Sequence, residues 1–206
     1  MEHSVDESWD RILAWLAENA PDALARIGPP AAAAELAEAE AALGVALPAG
    51  LLAWWRRANG ADRPWHGRPF DLLPGYCPVP IEMALDTRRI LLEIAEADEC
   101  DADEIAELEA QPAGSWCDTW LAPWMPIATS QGGQELFVDL RQGPLHGCVR
   151  EYDKVGAAES APRWTDVGAM LTDIAGALEQ GTEISGLYAG HVEVTRDGSL
   201  CWRGPD

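Results

Sequence analysis

Lysine is nearly missing from this 206-residue chain: Lys154 is the single one, beside thirteen arginines. Between Ile90 and Leu140 there is no lysine or arginine at all, while twelve acids fall there: Glu93, Glu96, Asp98, Glu99, Asp101, Asp103, Glu104, Glu107, Glu109, Asp118, Glu135 and Asp139. That stretch carries −12 of a formal net charge of −21. A field of this sign repels nucleic acid and anionic membrane surfaces, so neither is expected as a partner. Long apolar runs are scarce as well. The uncharged run from Ala41 to Trp55 is shorter than the roughly 20 residues a spanning helix needs, and Gly44, Pro48 and Gly50 interrupt it. Met1 to Asp10 is acidic and lacks a basic segment leading into an apolar one. It does not read as a signal peptide, and a cytoplasmic location is expected. The five cysteines (Cys77, Cys100, Cys117, Cys148 and Cys201) are odd in number, scattered and free of any CxxC pair. That excludes the usual signatures of a disulfide framework and of a thiolate zinc site, and leaves reduced cysteines acting as small apolar fillers.

Signatures of catalysis are missing too. Ser115, Ser130, Ser160, Ser185 and Ser199 lack a Gly-x-Ser-x-Gly elbow, and no Gly-Lys-Ser/Thr loop is present to cradle phosphate. His3, His66, His146 and His191 show no metal-ligand spacing and no adjacent nucleophile. Asp98 and Glu109 stand at positions 1 and 12 of a possible calcium loop, but Cys100 and Ala102 occupy ligand positions and Asp103 replaces the glycine of the turn. Gln131-Gly132-Gly133-Gln134 contains the Gly-Gly-Gln tripeptide of release factors, yet a ribosome ligand needs a basic surface, so the glycines read as a turn between strands. With 35 acids, close carboxylate pairs carry no signal of their own. No catalytic residue, cofactor or metal ligand is nominated, and the chain is not expected to be an enzyme.

What is present is a change of period along the chain. Trp9, Ile12, Leu13 and Leu16 follow helical spacing after a capping Ser4 or Asp6, and Pro21 ends that helix. A second helix is expected from about Pro30 to Gly44, and a short third one after Pro48, turning Leu51, Leu52 and Trp55 inward and stopping at Asn59-Gly60. Residues 61–80 read as loop with one short strand at Phe70–Leu73, and helices follow over Pro80–Asp98 and Glu104–Glu109. Then Met125–Thr129, Glu135–Leu140 and Cys148–Tyr152 predict an antiparallel meander. Thr165 is placed as the cap of a last helix carrying Val167, Met170, Leu171, Ile174 and Leu178. Val192–Thr195 and Leu200–Trp202 flank a hairpin turn at Asp197-Gly198. Helices first and strands later predict an α+β fold, helices packed against a mainly antiparallel β-sheet, in a single domain spanning 1–206 with its core at about 9–180 and a C-terminal extension at 181–206.

Two features point to a protein partner. Acid runs are the ordinary make-up of a solvated helix face, but this one is long and wholly free of compensating cations, which suits docking of a basic protein. Glu96, Asp98, Glu99, Asp101, Asp103 and Glu104 are the candidate contacts. Tryptophan is also abundant, at ten residues. Consecutive Trp54 and Trp55 cannot share one helix face, so one of them is expected half exposed. Trp65, Trp116 and Trp120, in loop-like, proline-flanked sequence, are candidate interface anchors because tryptophan is enriched at binding hot spots.

The spacing Glu40-x-x-Leu43-Gly44-x-x-Leu47-Pro48, followed by Leu51 and Asn59-Gly60, resembles the opening motif of the SMI1/KNR4 family of the SUKH superfamily. Trp124-Met125-Pro126-Ile127-Ala128, Gly132-Gly133 and Asp139 resemble its middle, and Trp164 with Met170-Leu171 its last helix. Gln131 departs from the pattern, where Asp is expected before the glycines. The acidic insert around 93–109 and the tail hairpin look like local elaborations. The resemblance implies an α+β fold and no shared catalytic residues. It also implies a binding role: bacterial members are commonly immunity proteins that neutralise a toxin, often a nuclease, and fungal members regulate cell-wall synthesis. A toxin-neutralising protein is thus the expected function, with an intracellular regulatory or scaffold module as the alternative. The motif residues themselves (Glu40, Leu43, Gly44, Leu47, Pro48, Asn59, Gly60, Trp124, Pro126, Gly132, Gly133 and Asp139) read as structural.

Overall fold

Ser4 starts the first helix, α1 (Val5–Asn19), through a reciprocal cap: its hydroxyl accepts from the Glu7 N–H at 3.2 Å, and the Glu7 carboxylate accepts from the Ser4 N–H at 3.0 Å. The structure, a computed structural model, describes residues 4–61, 70–97, 101–153, 158, 161–184, 191–196 and 198–203. Pro21 ends α1 and at once opens a single turn, α2 (Pro21–Leu24). The next helix, α3 (Ala33–Leu43), begins three residues beyond Pro30, because the Glu35 carboxylate closes its first turn on the Ala32 N–H at 2.6 Å. It ends in the left-handed Gly44. Pro48 then precedes α4 (Ala49–Trp55).

The family-like motif residues in this region hold the turns. Glu40 reaches past the end of α3 to accept the Leu47 N–H at 3.1 Å, which fixes the entry to α4. Asn59 accepts from the Ile81 N–H at 2.8 Å and donates to Glu35 at 2.8 Å, joining the start of α3 to that of α5 (Ile81–Ala97). Gly60 has φ +67°, and a Cβ there would lie 2.3 Å from the Val79 carbonyl carbon and the Pro80 nitrogen. Only glycine fits this crossing.

One expectation about α4 is corrected. Trp54 and Trp55 are both buried, at 1% exposure, while Leu51 and the partly buried Leu52 pack into the same core as expected. The helix packs between α1 and α7 (Val167–Gln180), so two of its faces are covered, and Trp54 meets the ring of Trp9 edge-on at 6.0 Å. The strand expected at Phe70–Leu73 lies instead at β1 (Tyr76–Pro78): Leu73 and Tyr76 bond to each other across Pro74-Gly75, and only residues after that turn reach the sheet. The cap of α7 is Asp166 rather than Thr165, its carboxylate accepting the Ala169 N–H at 2.8 Å.

Beyond α5 come α6 (Ala102–Ala110), β2 (Trp124–Ser130), β3 (Glu135–Asp139) and β4 (Cys148–Tyr152). The four strands form an antiparallel sheet in chain order, with a register irregularity between Pro126 and Ala128. Gly132 and Gly133 make the β2–β3 turn, where the Ser130 hydroxyl accepts the Gly132 and Gln134 N–H groups. Both sheet faces are covered, so β2, β3 and β4 are buried along nearly their whole length, charged residues included. One face presents Met125, Leu136, Val138 and Val149 to a core shared with α1, α4 and α7. The other presents Trp124, Phe137 and Tyr152 to a smaller core completed by Leu91 and Ala95 of α5, Leu108 of α6, Cys117, Trp120 and Leu121. The tail hairpin, β5 (His191–Val194) with β6 (Leu200–Arg203), forms a separate two-stranded sheet. Leu200 is buried, and the Trp202 indole donates to the Asp71 carbonyl at 3.0 Å. Asp197 of the expected turn lies outside the described residues. The α+β architecture, with helices against an antiparallel sheet, is as expected.

Candidate protein-binding surface

A buried charge centre lies under the loop that joins α6 to β2. Asp139, at the end of β3, is fully buried and accepts from the Gly114 N–H at 2.9 Å and from the Arg141 guanidinium at 2.7 and 3.0 Å, with Arg150 at 3.5 Å. Burial alone would push its carboxyl up, but the bonds from Arg141 and Gly114 and the nearby positive charge outweigh it and hold the group below the usual carboxylate range. The two arginines are buried as well and rest over the Trp124 ring. Other donors of the pair go to backbone carbonyls: Arg141 to Leu108 at 3.0 Å and Ser115 at 2.9 Å, Arg150 to Ser115 at 2.7 Å and to Ala158. The Ser115 carbonyl therefore takes two guanidinium bonds. The neighbouring Ala113 N–H is held by Gln142, and the Cys117 carbonyl by the Ala158 N–H.

Trp116 projects from this pinned backbone and is 51% exposed. A large ring on a fixed loop loses little conformational freedom when a partner covers it. Trp120 is the opposite case and is corrected as an interface anchor. It is 1% exposed, with ring centroids 5.4 Å from Trp124, 5.3 Å from Phe137 and 5.1 Å from Tyr152. An aromatic cluster on the sheet face consumes it.

The acids divide by orientation. Asp101 caps α6, accepting the Asp103 N–H at 3.2 Å. Leu108 then turns into the smaller core and Ile105 packs against it, so Asp103, Glu104 and Glu107 face outward and are exposed. Glu96, near the end of α5, is exposed too. Asp98 and Glu99, like the candidate anchor Trp65, lie outside the described residues. Glu109 has a structural task, accepting the Ala122 N–H at 3.0 Å. Three of the nearby cations turn the other way. Arg88 donates to the Ala122 carbonyl at 2.6 and 3.0 Å, while Arg141 and Arg150 are buried. Among the described residues, no ion pair involves Glu96, Asp101, Asp103, Glu104 or Glu107. Apart from Arg89, which is exposed and spans Asp86 and Glu93, positive charge here is turned inside and negative charge outside, which leaves this side of the molecule with a net negative field.

A second polar group, at the far end of the sheet, ties strands together: the Tyr76 hydroxyl donates to Glu151, which also accepts from Arg163 at 2.6 Å. Among the described residues no cluster of His, Cys, Asp and Glu is arranged to hold a metal ion, and no helix is long and apolar enough to cross a membrane.

A family model described as SMI1 / KNR4 family (SUKH-1) matches residues 30–173. The chain belongs to this family. No curated protein matches it. At family level SUKH domains are protein-binding, immunity-type domains and are generally non-catalytic. The match includes the Glu40, Asn59, Gly60 and Asp139 positions, whose side chains or backbone hold turns and loops as described above. α1 lies outside it, yet packs on α7 through a Ser8–Thr172 hydroxyl contact at 3.0 Å and an Arg11–Glu179 ion pair.

Sequence reasoning missed three things. The arginine pair Arg141 and Arg150 has no sequence signature, because a buried arginine is an exception to the general rule. The pinning of Trp116 follows only from the fold. The exposure of Ile90 and Ile94 was open to a period argument, since neither lies on the stripe Ile81, Ala84, Leu91, Ala95 that α5 buries.

Proposed function

We propose that this chain is a cytoplasmic immunity protein that neutralises a basic toxin domain by binding it, and that it catalyses no reaction. Family membership supports the class of activity. The observation that carries the partner's chemistry is the unpaired acidic side formed by Glu96, Asp101, Asp103, Glu104 and Glu107, in a chain with a net charge of −21. Asp98 and Glu99 extend the same run of sequence. An enzyme that acts on nucleic acid must display positive charge to its substrate, and an acidic inhibitor exploits that same field. Steering of this kind raises association rates from about 10⁵–10⁶ to as much as about 10⁸–10⁹ M⁻¹s⁻¹ at low salt. Trp116 then supplies the apolar anchor that long-range charge lacks, since exposed charge pairs alone add little affinity.

The test is protection in cells. The basic product of the gene adjoining this one is expressed with and without the chain, and growth is followed. Rescue that is lost in the Trp116→Ala variant carrying Glu96, Asp101, Asp103 and Glu104 changed to Lys supports the proposal. Growth arrest that the wild-type chain leaves unaltered refutes it, as does an adjoining product that arrests nothing.

A further inference from the structure

The C-terminal half of α5 carries two isoleucines, Ile90 and Ile94, that its own fold leaves nearly half exposed. The buried side of the helix is formed by Ile81, Ala84, Leu91 and Ala95. At 100° per residue, Met83, Thr87, Ile90, Ile94 and Ala97 fall on a different line, spaced 4, 3, 4 and 3 residues apart. That alternation is the seam spacing by which one helix packs along another. Along it, Ile90 is 47% and Ile94 45% exposed and Ala97 is exposed, whereas Met83 packs against the main core and Thr87 is partly buried, so the open part of the line is its Ile90–Ala97 end. Single exposed apolar residues on a surface need no explanation, but two adjoining isoleucines on one seam make a contiguous patch. Three acids, Glu82, Asp86 and Glu93, are exposed along one edge of the stripe. Arg89 spans two of them, at 3.5 Å from Asp86 and 2.9 Å from Glu93, which leaves that edge with a net negative charge of two from three acids and one arginine. Leu91 and Ala95 root this helix in the same small core as Leu108 of α6, so the seam and the acidic helix share one foundation.

We propose that the Ile90–Ile94 stripe of α5 is a docking seam for an amphipathic helix of a basic protein. The seam spacing selects a helix, and the acidic edge selects positive charge beside the partner's apolar ridge. A second copy of this chain is disfavoured as the occupant, because it would bring the same acidic edge and a further net charge of −21. The inference deepens the function proposed above and rests on it only for the occupant being a protein.

The experiment uses the whole chain and synthetic helical peptides of about three heptads, the length at which such helices begin to hold their shape. One peptide has Leu at the seam positions and Lys on the flanks. A second has Glu on the flanks, and a third keeps Lys but has Ser at the seam. Binding is read by fluorescence anisotropy at low salt. The expected result is binding of the first peptide only, weakened about tenfold or more in Ile90→Ser/Ile94→Ser and kept within about threefold in Ile90→Val/Ile94→Val, as loss or retention of about two apolar knobs requires. Because both side chains are nearly half exposed, the serine variant keeps its fold, which circular dichroism checks. Equal binding of the first peptide by the serine variant overturns the proposal. So does equal binding of the seam-less lysine peptide, binding of neither lysine peptide, or a dimer of the chain that the serine variant dissolves. A chain that binds the peptide through the seam but protects no cell keeps this inference and loses the toxin reading.

Discussion

Replacing Asp139 with Asn perturbs the molecule at its most charged buried point. The carboxylate is fully buried and faces two buried guanidiniums. Its loss leaves Arg141 and Arg150 as like charges with no anion between them, and weakens the acceptor that holds the Gly114 N–H. Removing one partner of a buried charge group costs about 3–5 kcal/mol, most of it the uncompensated charge left behind. With a urea m-value of about 2 kcal/mol per molar, the unfolding midpoint should fall by about 1.5–2.5 M. Asp139→Asn combined with Arg141→Met should cost less than the sum of the two single changes by about 2 kcal/mol, because the two residues share one network. The acid limb gives an independent check. The folded carboxyl is held below its unfolded value, so its contribution is complete above the unfolded pKa of about 3.9 and is lost as pH falls through the folded one. The stability difference between wild type and Asp139→Asn should therefore narrow as pH drops below about 4. A midpoint shift of less than about 0.5 M with an unchanged m-value, or a difference that does not narrow in acid, would refute this account of the charge centre.

Other substitutions separate surface from core. Trp120→Ala should cost about 3–5 kcal/mol in chemical denaturation, as removal of a fully buried ring does, whereas Trp116→Ala should stay within about 0.5 kcal/mol; equal costs would contradict the assignment of the two rings. Gly60→Ala meets Val79 and Pro80 backbone at 2.3 Å as well as a left-handed φ. The φ term alone costs about 1–2 kcal/mol, so a thermal midpoint within experimental error of wild type would show that the crossing is looser than described. Burial pushes the Cys77 thiol up to about 11 and the Cys148 thiol to about 12, and raises that of Cys117. In alkylation at pH 8 followed by peptide mapping, these three should label only on unfolding, and the partly buried Cys201 first among the described cysteines.

How much could be read beforehand depended on whether a residue's role is local. The stripe Val167, Met170, Leu171, Ile174, Leu178 and the meander of β2 to β4 repeat with a period of their own, and they stand where the period put them. Roles decided across the fold were hidden. Trp54 and Trp55 contradict a one-faced helix because α1 and α7 close on α4 from different directions. β1 begins after Pro74-Gly75 rather than before it because pairing with Ala128, Thr129 and Ser130 of β2 decides which residues become strand. Trp116 and Trp120 look alike in sequence, four residues apart in a loop, and only the aromatic cluster on the sheet face distinguishes them. The acidic run was legible as charge. That Arg88, Arg141 and Arg150 turn away from it was not, and this inward turn is what leaves the outer field net negative.

The central claim is that an acidic surface captures a basic protein, and stopped-flow association with the adjoining gene's product tests it most directly. The account predicts that the association rate falls at least tenfold when Glu96, Asp101, Asp103 and Glu104 are changed to Lys at low salt, and that added salt removes about the same factor from wild type. An association rate unmoved by both the charge reversal and the salt would contradict it.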